Sequence, residues 1–421
     1  MTGNNNREVI TGSDFKRMVS GAYSEFLLEY EKINRMNGAG SLPGTHVLHT
    51  MGAAVMTLRD VKDDSIGGLA RRVASGAILG ARGSAGIVLA QLFNGISRGL
   101  SGKYNATSSE FGKAFQYGIL YAQRSIPEKP ERPIITLAKA VAKGAYQAVR
   151  ANKPISEILT AAIAAGEVVL EKVGHKEDAG ASIMFFFLAG CLKGLDGNFV
   201  SPAVSLSLGL ESQQPGLPDP RQDLVRPFCV RFTIKNTKVD IAELEKQLKE
   251  YSSFALAEKR SHGVDVHIHS DHPGLVLESA VGWGPLKNLH ITNMSEPHVL
   301  EPHDAIMKVA LLAVAENKVQ ARELQEQGIH VLVTGSENAS PSVSELINAA
   351  HSDIASSYVM VAWSKDFWLA FRQARRLLGD RVELVLCDDK VQQAAAVKLF
   401  DPAKSAKENA EVMLKQLTKV E

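Results

Sequence analysis

Apolar residues recur at spacings of three and four over 111–125, 134–150 and 155–173, a pattern that predicts amphipathic helices. Pro127, Pro130 and Pro133 mark the turn before the second helix, and Pro154 marks the start of the third. From Asp14 to about Leu195 the periodicity stays helical, with Gly and Pro punctuation and little strand character. This half reads as an all-α bundle or barrel. The longest apolar run, around Ile183 to Leu192, is too short to cross a bilayer and is expected as a buried helix.

The pattern breaks between Gln213 and Pro227, where Pro215, Pro218, Pro220 and Pro227 gather around Gly216 among polar residues, as in a linker. Beyond it the period shortens to two. Strands are expected at 228–234, 265–270 and 289–294, with a charged helix at 241–251 and a second helix at 274–281, giving a small β-α-β-α-β unit. The remainder alternates strand 307–314, helix 318–327, strand 330–334, helix 342–351, strand 358–362, helix 365–378 and strand 382–386, which argues a parallel sheet. A closing surface helix is expected after Pro402. The expected organisation is a helical domain over 1–205, a linker over 206–227, an α/β middle domain over 228–303 and an α/β C-terminal domain over 304–421.

Composition narrows the partners. Among 421 residues, 45% are apolar and 22% charged, as in globular proteins. The 47 basic and 46 acidic residues nearly cancel, so there is no global field to draw nucleic acid or an anionic membrane, and nucleic-acid binding is set aside. Cys191, Cys229 and Cys387 are far apart, unlike a disulfide framework, and a reducing cytoplasm is the simpler reading. The polar start at Met1 carries no apolar leader.

Two groups of residues carry candidate chemistry. Gly83 and Gly86, in Gly80-Ala81-Arg82-Gly83-Ser84-Ala85-Gly86, open an apolar helix and would let backbone N–H groups approach a phosphate. Small residues at that spacing equally serve helix–helix packing. Arg82 could meet a phosphate or form a surface ion pair, and Asp178 could face a ligand or cap the helix that starts near Ala181. The second group is Cys229 on one predicted strand and His267 and His269, two apart, on another. Period-two alternation puts both histidines on one strand face, where a neighbouring Cys could complete three zinc ligands. A packed Cys beside two polar histidines is the plainer alternative. Trp363 and Trp368 read as core or as interface anchors, and Trp283 as loop packing.

The order of these segments resembles a known family. Asn34 and Asn37, then Leu42-Pro43-Gly44-Thr45-His46, the glycine loop, and Glu177-Asp178-Ala179-Gly180-Ala181 follow the L-type domain of dihydroxyacetone kinases. The likeness is greatest to the ATP-binding subunit of bacterial fatty acid kinase, and it continues through Phe228-Cys229, Val266-His267-Ile268-His269-Ser270, Ile291-Thr292-Asn293-Met294 and Phe400-Asp401-Pro402. It implies a DhaL-like helical barrel followed by an α/β middle domain and an α/β, DegV-like C-terminal region.

The family's first motif carries Asp-Gly-Asp-Thr-Gly-Thr-Asn after a proline, and its aspartates hold the Mg²⁺ ions that bridge the ATP phosphates. Here Pro43 leads straight to Gly44-Thr45-His46, so both carboxylates are missing. His46 and His49 suit transition metals better than Mg²⁺. Asp63 and Asp64 are expected in a solvated turn. By resemblance, the positions carried over to the nucleotide site are Asn37, Thr45, His46, Gly83, Ser84, Gly86 and Asp178, as a degenerate set. The family's Asn-Ser between the glycines is Ser84-Ala85 here, and its C-terminal Gly-Gly-Gln-Thr-Met-Asn-Pro-Ser run is 335–342, Gly-Ser-Glu-Asn-Ala-Ser-Pro-Ser. The chain also ends earlier than a full-length member.

The resemblance further implies structural zinc at Cys229, His267 and His269, with His298 as a candidate fourth ligand, and leaves His262 and His272 as loop residues. Two functions follow as expectations. One is a kinase-like scaffold, inactive or weak as an enzyme, that binds a fatty-acid-binding, DegV-like partner or an intact kinase paralogue. The other is a divergent ATP-dependent kinase acting on a protein-bound fatty acid carboxylate. A homodimer through the helical domain is implied by the family alone.

Overall fold

The computed structural model describes residues 9–37, 42–59, 61–125, 133–173, 178–197, 228–251, 255–270, 272–293, 307–335, 340–351 and 355–417. They divide into two compact units, residues 1–217 together with Glu337–Val343, and residues 218–336 together with 344–421. The expected linker and His298 lie outside the described residues.

The first unit holds eight helices: α1 (Gly12–Met36), α2 (Pro43–Met56), α3 (Ile66–Gly80), α4 (Gly83–Gly99), α5 (Ser108–Ser125), α6 (Pro133–Arg150), α7 (Ile155–Val173) and α8 (Ala179–Leu195). Each packs on the next and α8 returns to α1, so the helices close into a ring. The expected all-α barrel is present. Its interior is filled by Phe15, Met18, Phe93, Ile96, Phe111 and Phe187, leaving a void of only ≈ 10 Å³. The closing seam requires near contact of backbones, since a Cβ on Gly21 of α1 would stand 2.2 Å from the Gly190 carbonyl of α8. Beside it, Lys193 Nζ donates to both carboxylate oxygens of Glu25, at 2.8 and 2.6 Å. Local sequence sets the helix starts. Thr11 and Asp14 form a reciprocal capping box at α1, and Ser65 accepts the Gly68 N–H at α3.

In the second unit, residues 228–293 form β3 (Phe228–Ile234), α9 (Ile241–Tyr251), β4 (Ala255–Arg260), β5 (Gly263–Ser270), α10 (Pro273–Val281) and β6 (Leu286–Asn293). Here the structure corrects the β-α-β-α-β expectation. The sheet has four antiparallel strands in the order β4-β5-β3-β6, because β4 and β5 make a hairpin. Ala255-Leu256-Ala257-Glu258-Lys259-Arg260 has helix-forming composition, and only pairing with β5 makes it a strand. One sheet face buries Val230, Phe232, Ile234, Val264, Val266 and Ile268 together with Leu244 and Leu248 of α9 and Val276 of α10.

The last part contains β7 (Met307–Ala315), β8 (Val331–Thr334), β9 (Ala355–Ala362) and β10 (Val382–Leu386), all parallel in the order β10-β9-β7-β8. Strands β7 and β9 are fully buried from Val309 to Ala315 and from Tyr358 to Ala362, the near-continuous apolar run that a parallel sheet covered on both faces demands. The flanking helices are α11 (Lys318–Glu326), α12 (Val343–Ala350), α13 (Lys365–Leu378), α14 (Lys390–Val397) and α15 (Ala406–Leu417). Helix α15 closes the core through Met413 and Ala410 rather than lying wholly on the surface. Trp363 is core: it is 4% exposed, donates from Nε1 to the Val314 carbonyl at 3.2 Å and meets Phe367 edge-on.

Candidate functional site

The residues expected to meet a nucleotide sit at three helix starts. The first amides of a helix need acceptors, and the loop before α2 carries no carboxylate to supply one. Asn34, near the end of α1, does so instead. Its Oδ1 accepts the N–H groups of Gly44 and Thr45 at 2.8 and 3.2 Å, and its Nδ2 donates to Thr45 Oγ1 at 2.9 Å. Thr45 is buried, whereas Asn37 is exposed as the C-cap of α1.

His46 follows in the first turn of α2 and is 1% exposed. Its ring lies against the start of α4, where a Cβ on Gly83 would stand 2.3 Å from His46 Nδ1. Gly83 also has φ +54°, a left-handed conformation that favours glycine. One turn along α2, the Thr50 hydroxyl donates to the His46 carbonyl at 2.7 Å and accepts the Arg82 N–H at 3.4 Å. A Cβ on Gly86 would come within 2.4 Å of Thr50 Oγ1. The two glycines of the loop thus admit two residues of α2. Burial, with Arg82 and His49 adding repulsion, lowers the His46 pKa from 6.5 to about 3, so the imidazole is neutral.

Arg82 does not face solvent as an ordinary surface cation. One of its guanidinium nitrogens donates to the Ser340 carbonyl at 2.9 Å, its backbone bridges Ser342, and Val343 N–H donates to the Ala81 carbonyl at 3.2 Å. Ser84 is exposed. Asp178 is the N-cap of α8, accepting the Ala181 N–H at 2.8 Å. Asp63 accepts the Ser65 N–H at 2.8 Å in an exposed turn, and Asp64 pairs with Lys16 at 3.0 Å.

The structure therefore gathers Thr45, His46, Gly83 and Gly86, joined by Asn34, Thr50 and Arg82. Thr50 was not anticipated as part of this group. Its signal was a one-turn spacing from His46 that matches the spacing of Gly83 and Gly86 on the facing helix. A site built from a neutral amide, a hydroxyl and a neutral imidazole does not fit Mg²⁺, which takes hard anionic oxygens at a triphosphate.

The second group lies on the middle sheet. In the β3–β5 ladder Cys229 stands opposite His269, and Arg231 stands opposite His267. Cys229 and His267 are both buried, and Sγ lies 3.1 Å from Nε2. A shared tetrahedral zinc would hold such a pair about 3.5 Å apart, so this donor pair fits with a small opening. Among the described residues no group of three or more His, Cys, Asp or Glu side chains is gathered closely enough to hold a metal ion. His262 lies in the β4–β5 turn, bonded to Asp265 at 3.1 Å, and His272 precedes α10, as loop residues.

Comparison with known families follows the same division. The DAK2 domain matches residues 43–178, the FakA-like middle domain of fatty acid kinases matches 226–300, and the FakA-like C-terminal domain matches 310–421. The chain belongs to the FakA-like fatty acid kinase family. Its relatives include Protein YloV of Bacillus subtilis, 24% identical over 408 residues, covering 90% of this chain and 74% of that protein. An uncharacterized protein of Staphylococcus saprophyticus is 24% identical over 409 residues, with 90% and 74% covered. Another, of Staphylococcus epidermidis, is 23% identical over 398 residues, with 87% and 72% covered. Among the described residues no helix is long and apolar enough to cross a membrane.

Proposed function

We propose that this family member is a scaffold or regulator, with little or no phosphoryl transfer of its own, that binds an acyl-carrying, fatty-acid-binding protein or an intact kinase paralogue in the cytoplasm. The observation that carries this reading is the Asn34 cap on α2. Where phosphoryl transfer to a carboxylate would need metal-holding aspartates, a neutral amide satisfies the helix and a buried neutral imidazole follows. The altered glycine loop and the 335–342 segment add support. The barrel would then keep its shape as a platform after losing its metal chemistry.

The middle domain, on this reading, carries a structural zinc held by Cys229, His267 and His269, with His298 as fourth ligand. Zinc there would tie β3 to β5 and neutralise a buried thiolate. The 3.1 Å approach of Cys229 Sγ to His267 Nε2 supports it.

Calorimetric titration of MgATP into the full chain, with metal analysis of the same sample, tests both parts. No nucleotide binding and about one zinc per chain is the expected result. Micromolar, Mg²⁺-dependent binding with phosphate transfer to a fatty acid on a partner protein would overturn the scaffold in favour of a divergent kinase.

A further inference from the structure

The glycine loop at the start of α4 has the geometry of an anion cradle, yet its space is already taken. Gly83 leaves a Cβ position open, and His46 Nδ1 lies 2.3 Å from that position. The next such position, at Gly86, is met by Thr50 Oγ1 at 2.4 Å. His46 Nε2 is buried and has no hydrogen-bond partner, so the ring is held there by shape and not by polar contacts. A buried donor or acceptor left unpaired is unfavourable, and native structures seldom keep one without a reason. Arg82, the only cation of the 80–86 loop, is drawn to the Ser340 carbonyl, while its N–H faces Thr50. The charge that would attract an anion to this helix start is therefore directed elsewhere.

We propose that His46 is an internal plug, whose imidazole fills from inside the barrel the cradle at Gly83 and Gly86 and closes the start of α4 to phosphate-bearing ligands. This rests on the scaffold reading and adds a cause to it. Loss of the carboxylates removes metal binding, whereas the plug removes the phosphate subsite itself. The cradle survives beneath the plug, because the left-handed Gly83 and the first amides of a 17-residue helix remain in place. Truncating the ring thus opens a site that the wild type lacks.

The test is calorimetry on the full chain with pyrophosphate and with ADP, both without metal. The wild type is expected to bind neither at millimolar concentration. His46→Ala is expected to bind pyrophosphate at least about tenfold more tightly than the wild type, and added imidazole is expected to compete by refilling the space. His46→Phe keeps a flat ring in the cradle and is expected to stay silent. A wild type that binds pyrophosphate as tightly as His46→Ala overturns the plug, as does a folded His46→Ala that gains nothing. Should His46→Ala fail to fold, diethyl pyrocarbonate on the wild type decides: His46 is expected to stay unmodified while His262 reacts, and equal rates overturn the proposal. MgATP binding by the wild type would overturn the scaffold reading and the plug together. A silent wild type with a silent, folded His46→Ala would overturn the plug alone.

Discussion

The amide oxygen of Asn34 accepts the Gly44 N–H at 2.8 Å, so the last turns of α1 hold the first turn of α2 directly. This is a helix cap supplied from a different helix. Asn34→Ala would leave the Gly44 and Thr45 amides unpaired beside a buried threonine, and is expected to cost about 1–3 kcal/mol. Asn34→Asp keeps the acceptor and places negative charge at a helix N-terminus, where it is favourable. It is expected to stay within about 1 kcal/mol of the wild type at neutral pH. The urea midpoint of the helical unit measures both. Equal losses for the two variants would show that the acceptor oxygen is not what matters.

Gly83 and Gly102 both have positive φ, at +54° and +74°, but only Gly83 is crowded: no atom lies within 4 Å of a Cβ on Gly102. Gly102→Ala should therefore lose only the backbone term, about 1–2 kcal/mol. Gly83→Ala must also displace the His46 ring and is expected to lose about 1–3 kcal/mol more by overpacking. Thermal melts of the two variants side by side give the difference. Similar values would mean that the ring moves aside freely.

How much of this was legible in the sequence differs by region. The ladder of the C-terminal sheet could be read closely, since continuous runs such as Val309–Ala315 and a helix as amphipathic as Lys365–Leu378 leave few alternatives. The hairpin strand Ala255–Arg260 could not, because its own residues favour helix and its partner strand decides the outcome. At the glycine loop the two sequence readings, phosphate cradle and helix packing, were not exclusive. Gly83 has the conformation of the first and the neighbours of the second, and the identity of the neighbour, His46, becomes visible only when α2 is laid against α4. Asp178 was poised between ligand and cap, and its side chain is engaged as the cap.

His46 gives the helical unit a pH dependence whose sign can be stated. Its ordinary pKa of 6.5 falls to about 3 in the folded chain, through burial first and then the charges of Arg82 and His49. Between those values the unfolded chain binds a proton that the folded chain refuses, so stability falls as pH drops from about 6.5 towards 3, by up to about 1.4 kcal/mol per unit. Above pH 6.5 the residue contributes no slope. His46→Phe removes this part of the acid sensitivity, and Arg82→Gln softens it by removing one of the repelling charges. Urea unfolding of wild type and His46→Phe at pH 7, 6 and 5 tests the sign. Curves that stay parallel across that range would show His46 titrating normally.

The Cys229–His267 pair makes the most direct prediction about composition. Cys229 is buried beside an imidazole in the middle of a β ladder, whereas Cys191 and Cys387 are thiols whose pKa is pushed up, chiefly by burial, to about 12 for Cys387. Only Cys229 is therefore placed to ligate as a thiolate with a nitrogen partner. Cys229→Ser is expected to abolish zinc in the purified chain and to expose the amides of β3 and β5 to hydrogen exchange, while Cys191→Ala keeps its zinc. Lowering the pH should release the metal as the ligands protonate, because zinc competes with protons for the same atoms. Metal analysis across a pH series, with hydrogen exchange on the same samples, gives both readouts. A wild-type chain that is folded, free of zinc and unchanged in β3 and β5 by Cys229→Ser would show that the pair is ordinary core packing.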